Sequence, residues 1–134
     1  MASRLEAATK QYGVCLLISE TVVANLTKSS LRDSCRKLDR VTVKGSAEPM
    51  LLYTYDMPFL QKDLKGSPQV YKSLFEAAID NYIIGNWTES SKKLNQCIQM
   101  WPTDRPATLI AKYMASHNNV VPAAWKGYRE LTEK

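Results

Sequence analysis

The sequence predicts an α+β protein in which a small layer of strands and helices is followed by an all-helical extension. Three observations support this prediction. Residues 14–18 form an apolar run that is too short for a helix and is typical of a buried strand. Residues 41–44 alternate apolar and polar side chains, which is the period of a half-buried strand. From residue 68 onward, apolar side chains recur every three or four residues, as on one face of a helix.

The first 30 residues predict a helix, a strand and a second helix. Apolar side chains have helical spacing over residues 2–12, and Gly13 is suited to end that helix. The apolar run 14–18 is then expected to form a central strand. A second helix is expected over 20–28 and is expected to end at residues 29–30. The side chains expected to face inwards from this second helix are Val22, Val23 and Leu26.

A β-hairpin is predicted from two strands, residues 35–44 and 50–56. Gly45 and Pro49 bracket the polar connection between them. The second strand is rich in aliphatic and aromatic residues that suit a pairing strand. Lys44 lies at the tip of the first strand, where a cation can reach a ligand. From the residue alone, a solvated lysine at an exposed strand end is the favoured interpretation.

The second half of the chain predicts three helices after a polar connector at 58–67. The helices are expected over 68–84, 88–100 and 106–117. The pattern between Tyr82 and Pro102 resembles one tetratricopeptide-type helical hairpin. Since a single repeat cannot bury a continuous core, this hairpin must pack against something else. The small residues expected at the helix contact are Ala78, Ser90 and Cys97. The apolar side chains expected to face inwards are Tyr71, Leu74, Phe75, Ala78 and Tyr82 on the first helix, Leu94, Cys97, Ile98 and Trp101 on the second, and Ile110, Tyr113 and Met114 on the third.

Charge and cysteine content narrow the class of protein. The formal charge is +5, but Lys and Arg are interspersed with Asp and Glu and form no aromatic-basic ladder, so nucleic-acid binding is not expected. No apolar run approaches the ~20 residues that span a bilayer. Cys15, Cys35 and Cys97 are far apart and lack metal-ligand spacing, which favours reduced thiols in a cytoplasmic protein. His117, in a polar run, is expected at the surface near a helix end.

Three stretches of the first 55 residues carry a family resemblance. Residues 2–13 read Ala-Ser-Arg-Leu-Glu-x-x-x-Lys-Gln-Tyr-Gly, and residues 17–20 read Leu-Ile-Ser-Glu. Residues 39–49 read Asp-Arg-x-x-Val-Lys-Gly-x-x-Glu-Pro and lead into an aliphatic-Tyr strand. In this order and spacing, they resemble the end of the catalytic domain of class III nucleotidyl cyclases, the adenylate and guanylate cyclases. Each stretch alone is weakly specific, whereas three in register form a specific signal.

The resemblance implies a domain organisation. Residues 1–57 would be the C-terminal portion of a ferredoxin-like cyclase domain, 58–67 a linker, and 68–134 a helical extension with one tetratricopeptide-like hairpin. The tail from Pro122 to Lys134 also resembles the tail that follows some cyclase domains. The family's asparagine and its metal-binding aspartates would lie before Met1. We therefore interpret Met1 as an internal methionine of a longer sequence, or the chain as part of a split protein.

The resemblance also implies a chemistry. The family converts ATP or GTP to a 3′,5′-cyclic nucleotide and pyrophosphate, and ATP is the expected substrate here. Arg4 would match the family's transition-state arginine, and Lys44 would contact the terminal phosphates of the nucleoside triphosphate. Mg²⁺ or Mn²⁺ is implied for the complete site, but no metal is expected to be held by this chain. From the residue alone, a surface arginine of a helix is the favoured interpretation of Arg4.

Two classes of function follow. In the first, the chain is inactive alone and requires the remainder of a cyclase domain, or another subunit, to complete the sheet. In the second, it is a non-catalytic interaction subunit of a larger assembly such as the ciliary axoneme. There the helical hairpin and the tail containing Trp125 would bind a partner. Trp125 is equally suited to cover the last helix.

Overall fold

The computed structural model describes residues 9–10, 12, 14, 17–43, 48–55 and 64–131. These residues form a mixed α+β fold, which confirms the predicted α+β class. They divide into two compact units. The sheet unit holds the described residues up to 55 together with 128–131, and the helical unit holds residues 64–127.

The elements of both units follow one another in chain order. Residues 9, 10 and 12 are helical. The further elements of the sheet unit are β1 (Ile18–Ser19), α1 (Glu20–Ala24), α2 (Ser29–Asp33), β2 (Cys35–Val43), β3 (Met50–Tyr55) and β4 (Arg129–Leu131). Those of the helical unit are α3 (Pro68–Ile84), α4 (Trp87–Met100) and α5 (Arg105–Ala115).

The sheet has the strand order β1-β3-β2-β4. β2 and β3 pair antiparallel with Val41 opposite Met50, which confirms the predicted hairpin pairing. β1 pairs antiparallel with β3. β4 lies on the other side of β2 and is parallel to it, with Val41 opposite Arg129. No strand was predicted in the tail, so the partner of β2 on this side is supplied by a segment that the sequence patterns did not identify.

The prediction for the first strand and the following helix was wrong in detail. Val14 and Leu17 lie outside any strand, and β1 contains only Ile18 and Ser19. Ser19 ends the strand because its hydroxyl caps α1 by accepting from Val22 N at 3.5 Å. The predicted helix 20–28 is two short helices, since Asn25 caps the first by donating its side-chain amide to Thr21 O at 2.9 Å.

The inward face predicted for that helix was only partly right, since Val23 and Leu26 are half-buried but Val22 is exposed. No residue of α1 is buried, and Val22 is 51% exposed. Ser29 begins α2 instead of ending the helix before it. A five-residue helix has too few turns to present a sustained apolar stripe, so spacing over 20–28 was a poor guide to burial.

The helical unit agrees closely with the sequence. α3 has the predicted bounds, and Gly85 ends it in the left-handed region at φ 92°. The small residues predicted at the helix contact meet there: Ala78 and Ser90 are fully buried, and Ser90 Oγ donates to Ala78 O at 2.7 Å. No helix in the described part of the chain is long and apolar enough to cross a membrane. The fully buried side chains of the three helices include Tyr71, Phe75, Ala78, Ile79, Tyr82, Leu94, Cys97, Ile110 and Met114.

Candidate functional site

The two candidate phosphate-binding residues lie outside the residues that the structure describes. Arg4 precedes the helical residues 9, 10 and 12, and Lys44 directly follows β2. Their roles therefore remain predictions from the sequence. The structure does describe Tyr12, which follows Arg4 in the chain, and β2, which precedes Lys44, and both contribute to a buried cluster of three polar side chains.

This cluster, the Tyr12–Asp39–Arg129 cluster, joins three distant parts of the chain. Tyr12 Oη donates to Asp39 Oδ2 at 2.6 Å. Arg129 Nε donates to the same carboxylate oxygen at 3.0 Å, and Arg129 Nη2 donates to Tyr12 Oη at 3.0 Å. Tyr12 and Asp39 are fully buried, and the Arg129 side chain is only 14% exposed. The three side chains therefore form a closed ring of hydrogen bonds shielded from water.

A β-bulge in β2 accompanies the buried carboxylate. Lys37 lies opposite Tyr53 and Asp39 lies opposite Leu52, so Leu38 is an extra residue with no partner directly across. In a regular strand, successive side chains point to opposite faces of the sheet. The bulge interrupts that alternation, and both Leu38 and Asp39 are fully buried. The second carboxylate oxygen, Asp39 Oδ1, accepts from Arg40 N at 2.8 Å.

Burial and the neighbouring carboxylate favour the neutral phenol of Tyr12. Burial raises the pKa of Tyr12 well above its ordinary value of 10.0, and the Asp39 carboxylate raises it further. The Arg129 guanidinium opposes this shift of the Tyr12 pKa. Asp39 and Arg129 form an ion pair, and the Tyr12 phenol is hydrogen-bonded to both of them. A buried charge pair is tolerated only when additional hydrogen bonds satisfy its remaining polar atoms, and Tyr12 and Arg40 N do so here.

Replacing Tyr12 by Phe is expected to lower the free energy of unfolding by about 1.5–3 kcal/mol at neutral pH, the usual range for a hydrogen bond to a charged group. Because the folded-state pKa is raised, the unfolded chain loses this proton first as the pH rises above about 10, and the stabilisation by Tyr12 decreases. The difference between wild type and Tyr12→Phe should therefore shrink above pH 10. Urea unfolding of both proteins from pH 7 to 11 measures it, and a constant difference would contradict this account.

A second contact links β2 to the residues around β4. The Arg40 guanidinium carbon lies 5.9 Å from the centre of the Tyr128 ring, within cation–π range. The Arg129 guanidinium carbon is likewise 5.8 Å from the centre of the Tyr12 ring. Tyr128 and Arg129, which are neighbours in the chain, thus each take part in a cation–π contact, Tyr128 with Arg40 of β2 and Arg129 with Tyr12.

The helical unit has an aromatic cluster around Trp87. The Trp87 ring centre lies 5.2 Å from that of Trp125, 6.0 Å from that of Tyr82 and 5.8 Å from that of Tyr113. Trp125 Nε1 donates to Ile83 O at 3.0 Å. Of the two interpretations of Trp125, this geometry favours the structural one, because the indole packs on its own helical unit. The ring of His117 joins the cluster, while the residue is exposed just after α5, as predicted.

The remaining candidate ligands do not gather into a metal site within the described residues. No group of three or more His, Cys, Asp or Glu side chains there could hold a metal ion. Cys35 and Cys97 are buried, one in each unit, and Cys35 Sγ donates to Leu31 O at 3.4 Å. Cys15 lies outside the described residues.

The sequence patterns did not reveal the Tyr12–Asp39–Arg129 cluster, and the reason differs among its three residues. Tyr12 and Asp39 both occur in the stretches that carry the cyclase resemblance, but no role was assigned to either. A buried aspartate in a strand carries no periodicity signal, since the bulge that accompanies it is set by pairing with β3. Arg129 lies 90 residues from Asp39, and nothing in the tail marks it as a partner.

Comparison of the chain with protein-family models, with curated proteins and with solved structures finds no match.

Proposed function

We propose that this chain is the C-terminal part of a class III nucleotidyl cyclase and that it supplies the phosphate-binding side of the active site. ATP is the proposed substrate, and cyclic AMP and pyrophosphate are the products. Arg4 would engage two oxygens of the reacting phosphate through its planar guanidinium. Lys44 would act as a point charge on the terminal phosphates. Both residues would stabilise negative charge as the bond to pyrophosphate breaks.

The observation that best supports the proposal is the antiparallel pairing of β2 with β3. The family resemblance of residues 39–55 requires a strand, a short connection containing Lys44, and a returning strand. β2 ends at Val43 and β3 begins at Met50, in a register where Val41 lies opposite Met50. The connection that carries Lys44 is therefore bounded by two paired strands, a rigid support for a cation that must meet a ligand.

The order of the elements before the hairpin gives further support. Helical residues 9, 10 and 12, strand β1, the short helices α1 and α2 and strand β2 follow one another, where the resemblance expects a helix, a strand, one helix and a strand. The resemblance puts the family's metal-binding aspartates before Met1. In this proposal the metal would therefore be held by the remainder of the domain or by another subunit.

The test is a cyclase assay with ATP and with GTP, in Mg²⁺ and in Mn²⁺, on the chain alone and on the complex purified through a tag on this chain. We expect cyclic AMP from the complex and none from the chain alone. Arg4→Ala or Lys44→Ala in the complex should lower the rate on the order of 100-fold, as when one group that stabilises transition-state charge is removed. The control is Lys126→Ala, which removes one exposed positive charge elsewhere.

Two results would contradict the proposal. One is a complex that forms no cyclic nucleotide with either substrate, which would favour the interaction-subunit interpretation. The other is a complex whose rate is equally insensitive to Arg4→Ala, Lys44→Ala and Lys126→Ala. In that case the catalytic cations would be supplied by another chain.

A further inference from the structure

We infer that the helical unit is a conformational device that controls the docking of strand β4 on β2, and through β4 the completion of the sheet. A ligand that binds the folded helical unit would then change the state of the sheet unit. The coupling acts through the order of the segments in the chain, and it is independent of any part in cyclic nucleotide synthesis.

The first step is the order of the two units in the chain. The sheet unit holds the described residues up to 55 and then residues 128–131, and the helical unit lies between them in the sequence. β3 ends at Tyr55, and the next strand, β4, begins only at Arg129. Docking of β4 on β2 therefore closes a loop that contains the whole helical unit.

The second step is the entropy of closing this loop. With the helical unit unfolded, docking of β4 closes a flexible loop of about 70 residues, and the entropy lost on closure grows with the number of flexible residues. With the helical unit folded, most of these residues are already ordered, so docking of β4 orders few more. The structure contains the folded helical unit and the docked β4 together, so the folded unit is compatible with closure. Folding of the helical unit therefore favours docking.

The third step is the small number of interactions that hold β4 in place. The strand has three residues, which pair with the last three of β2, and it lies at the edge of the described sheet. Its buried anchor is Arg129, which donates to Asp39 Oδ2 and to Tyr12 Oη, each at 3.0 Å. Short terminal segments at an edge open at a low free-energy cost. A change in loop entropy is therefore large enough to shift the docking equilibrium.

The fourth step is that undocking of β4 changes a buried site of the sheet unit. Asp39 and Tyr12 are fully buried, and both are hydrogen-bonded to Arg129. When β4 leaves, the Asp39 carboxylate loses its ion pair with Arg129 and the Tyr12 phenol loses one donor. The docked and undocked states thus differ inside the sheet unit as well as at its edge.

The coupling must also act in the reverse direction, because a coupling free energy between two equilibria is reciprocal. If folding of the helical unit favours docking of β4, docking of β4 favours folding of the helical unit by the same factor. A substitution of Arg129, whose polar contacts lie in the sheet unit, should therefore lower the stability of the helical unit. All three tryptophans of the chain lie in the helical unit, so their fluorescence follows that unit.

The first measurement is amide hydrogen exchange by NMR in the full chain, for wild type, Trp87→Phe and Trp87→Ala. Trp87 is 1% exposed, so these two substitutions weaken the helical unit by increasing amounts. We expect exchange in β4, Arg129–Leu131, to become faster in the same order, by about tenfold in Trp87→Ala, a typical factor for coupling between two sites. Exchange in β3, which is not paired with β4, should change less. Val70→Ala, at a position 59% exposed, should leave both unchanged.

The second measurement is urea unfolding of Arg129→Ala and Glu130→Ala, followed by tryptophan fluorescence. We expect Arg129→Ala to lower the midpoint of the transition of the helical unit, although Arg129 lies in the sheet unit. Glu130→Ala removes a charge from the next residue of β4, which is exposed, and should leave the midpoint unchanged.

Three results would overturn the inference. The first is exchange in β4 that stays at the wild-type rate when Trp87→Ala has weakened the helical unit. The second is exchange that becomes faster by the same factor in β3 and β4, because the sheet would then open as a whole and not by undocking of β4. The third is an identical fluorescence transition in Arg129→Ala and wild type. Should Trp87→Ala not fold, Trp87→Phe keeps an aromatic ring in the core and the same comparison of β3 with β4 decides.

Discussion

Replacing Asp39 by alanine is expected to destabilise the sheet unit by about 3–5 kcal/mol, the cost of removing one partner of a buried charge pair. The carboxylate is fully buried and accepts hydrogen bonds from Tyr12, Arg129 and Arg40 N. Its removal takes the Asp39 charge away from the largely buried Arg129 guanidinium and takes the hydrogen-bond acceptor away from the Tyr12 phenol. The loss of stability is large because three hydrogen-bond donors lose the same carboxylate acceptor.

The measurement is urea unfolding followed by far-ultraviolet circular dichroism, combined with amide hydrogen exchange in β2 and β3. Hydrogen exchange is needed because all three tryptophans, Trp87, Trp101 and Trp125, lie in the helical unit, so their fluorescence does not report on the sheet. Glu130→Ala is the matched control, since it removes a carboxylate from an exposed position in the neighbouring strand β4 and should change stability by less than about 0.5 kcal/mol. Equal effects of the two substitutions would show that the cluster is not stabilising.

Replacing Trp87 by alanine is expected to destabilise the helical unit by about 3–5 kcal/mol, the range for a large aromatic side chain removed from a core. Trp87 is 1% exposed, and its ring packs against the rings of Tyr82 and Trp125. Its Nε1 also donates to Tyr82 O at 3.0 Å, beside the end of α3. The substitution therefore opens a cavity and removes a hydrogen bond where the three helices meet.

Fluorescence of the two remaining tryptophans reports this unfolding directly, because both lie in the helical unit. Trp87→Phe is the graded comparison. It keeps an aromatic ring and should cost less than the alanine variant, with the lost hydrogen bond to Tyr82 O accounting for about 1 kcal/mol. Val70 is 59% exposed in α3, so Val70→Ala is the control for removing apolar side-chain atoms outside the core. A cost for Trp87→Ala no greater than that of Val70→Ala would contradict the packing argument.

The helical unit and the sheet unit illustrate how differently sequence patterns predict structure. The helix predicted over 68–84 is α3, Pro68–Ile84, which has Pro68 in its first turn and Gly85 at its end. These signals are local, since capping and left-handed backbone depend on the residues at the helix ends themselves. By contrast, the second predicted helix became two short ones, because Asn25 caps α1 with its own side chain.

The sequence by itself determined the α+β class, the hairpin of β2 and β3, and the close contact of α3 and α4 at Ala78 and Ser90, since each depends on neighbouring or regularly spaced residues. Only the tertiary structure decided that β4 pairs with β2 and that Arg129 reaches Asp39 and Tyr12. The physical reason is the distance along the sequence between the residues that interact. A three-residue strand has too few positions to show a period, and a salt bridge between residues 90 positions apart forms only when the fold has brought its two chain segments together.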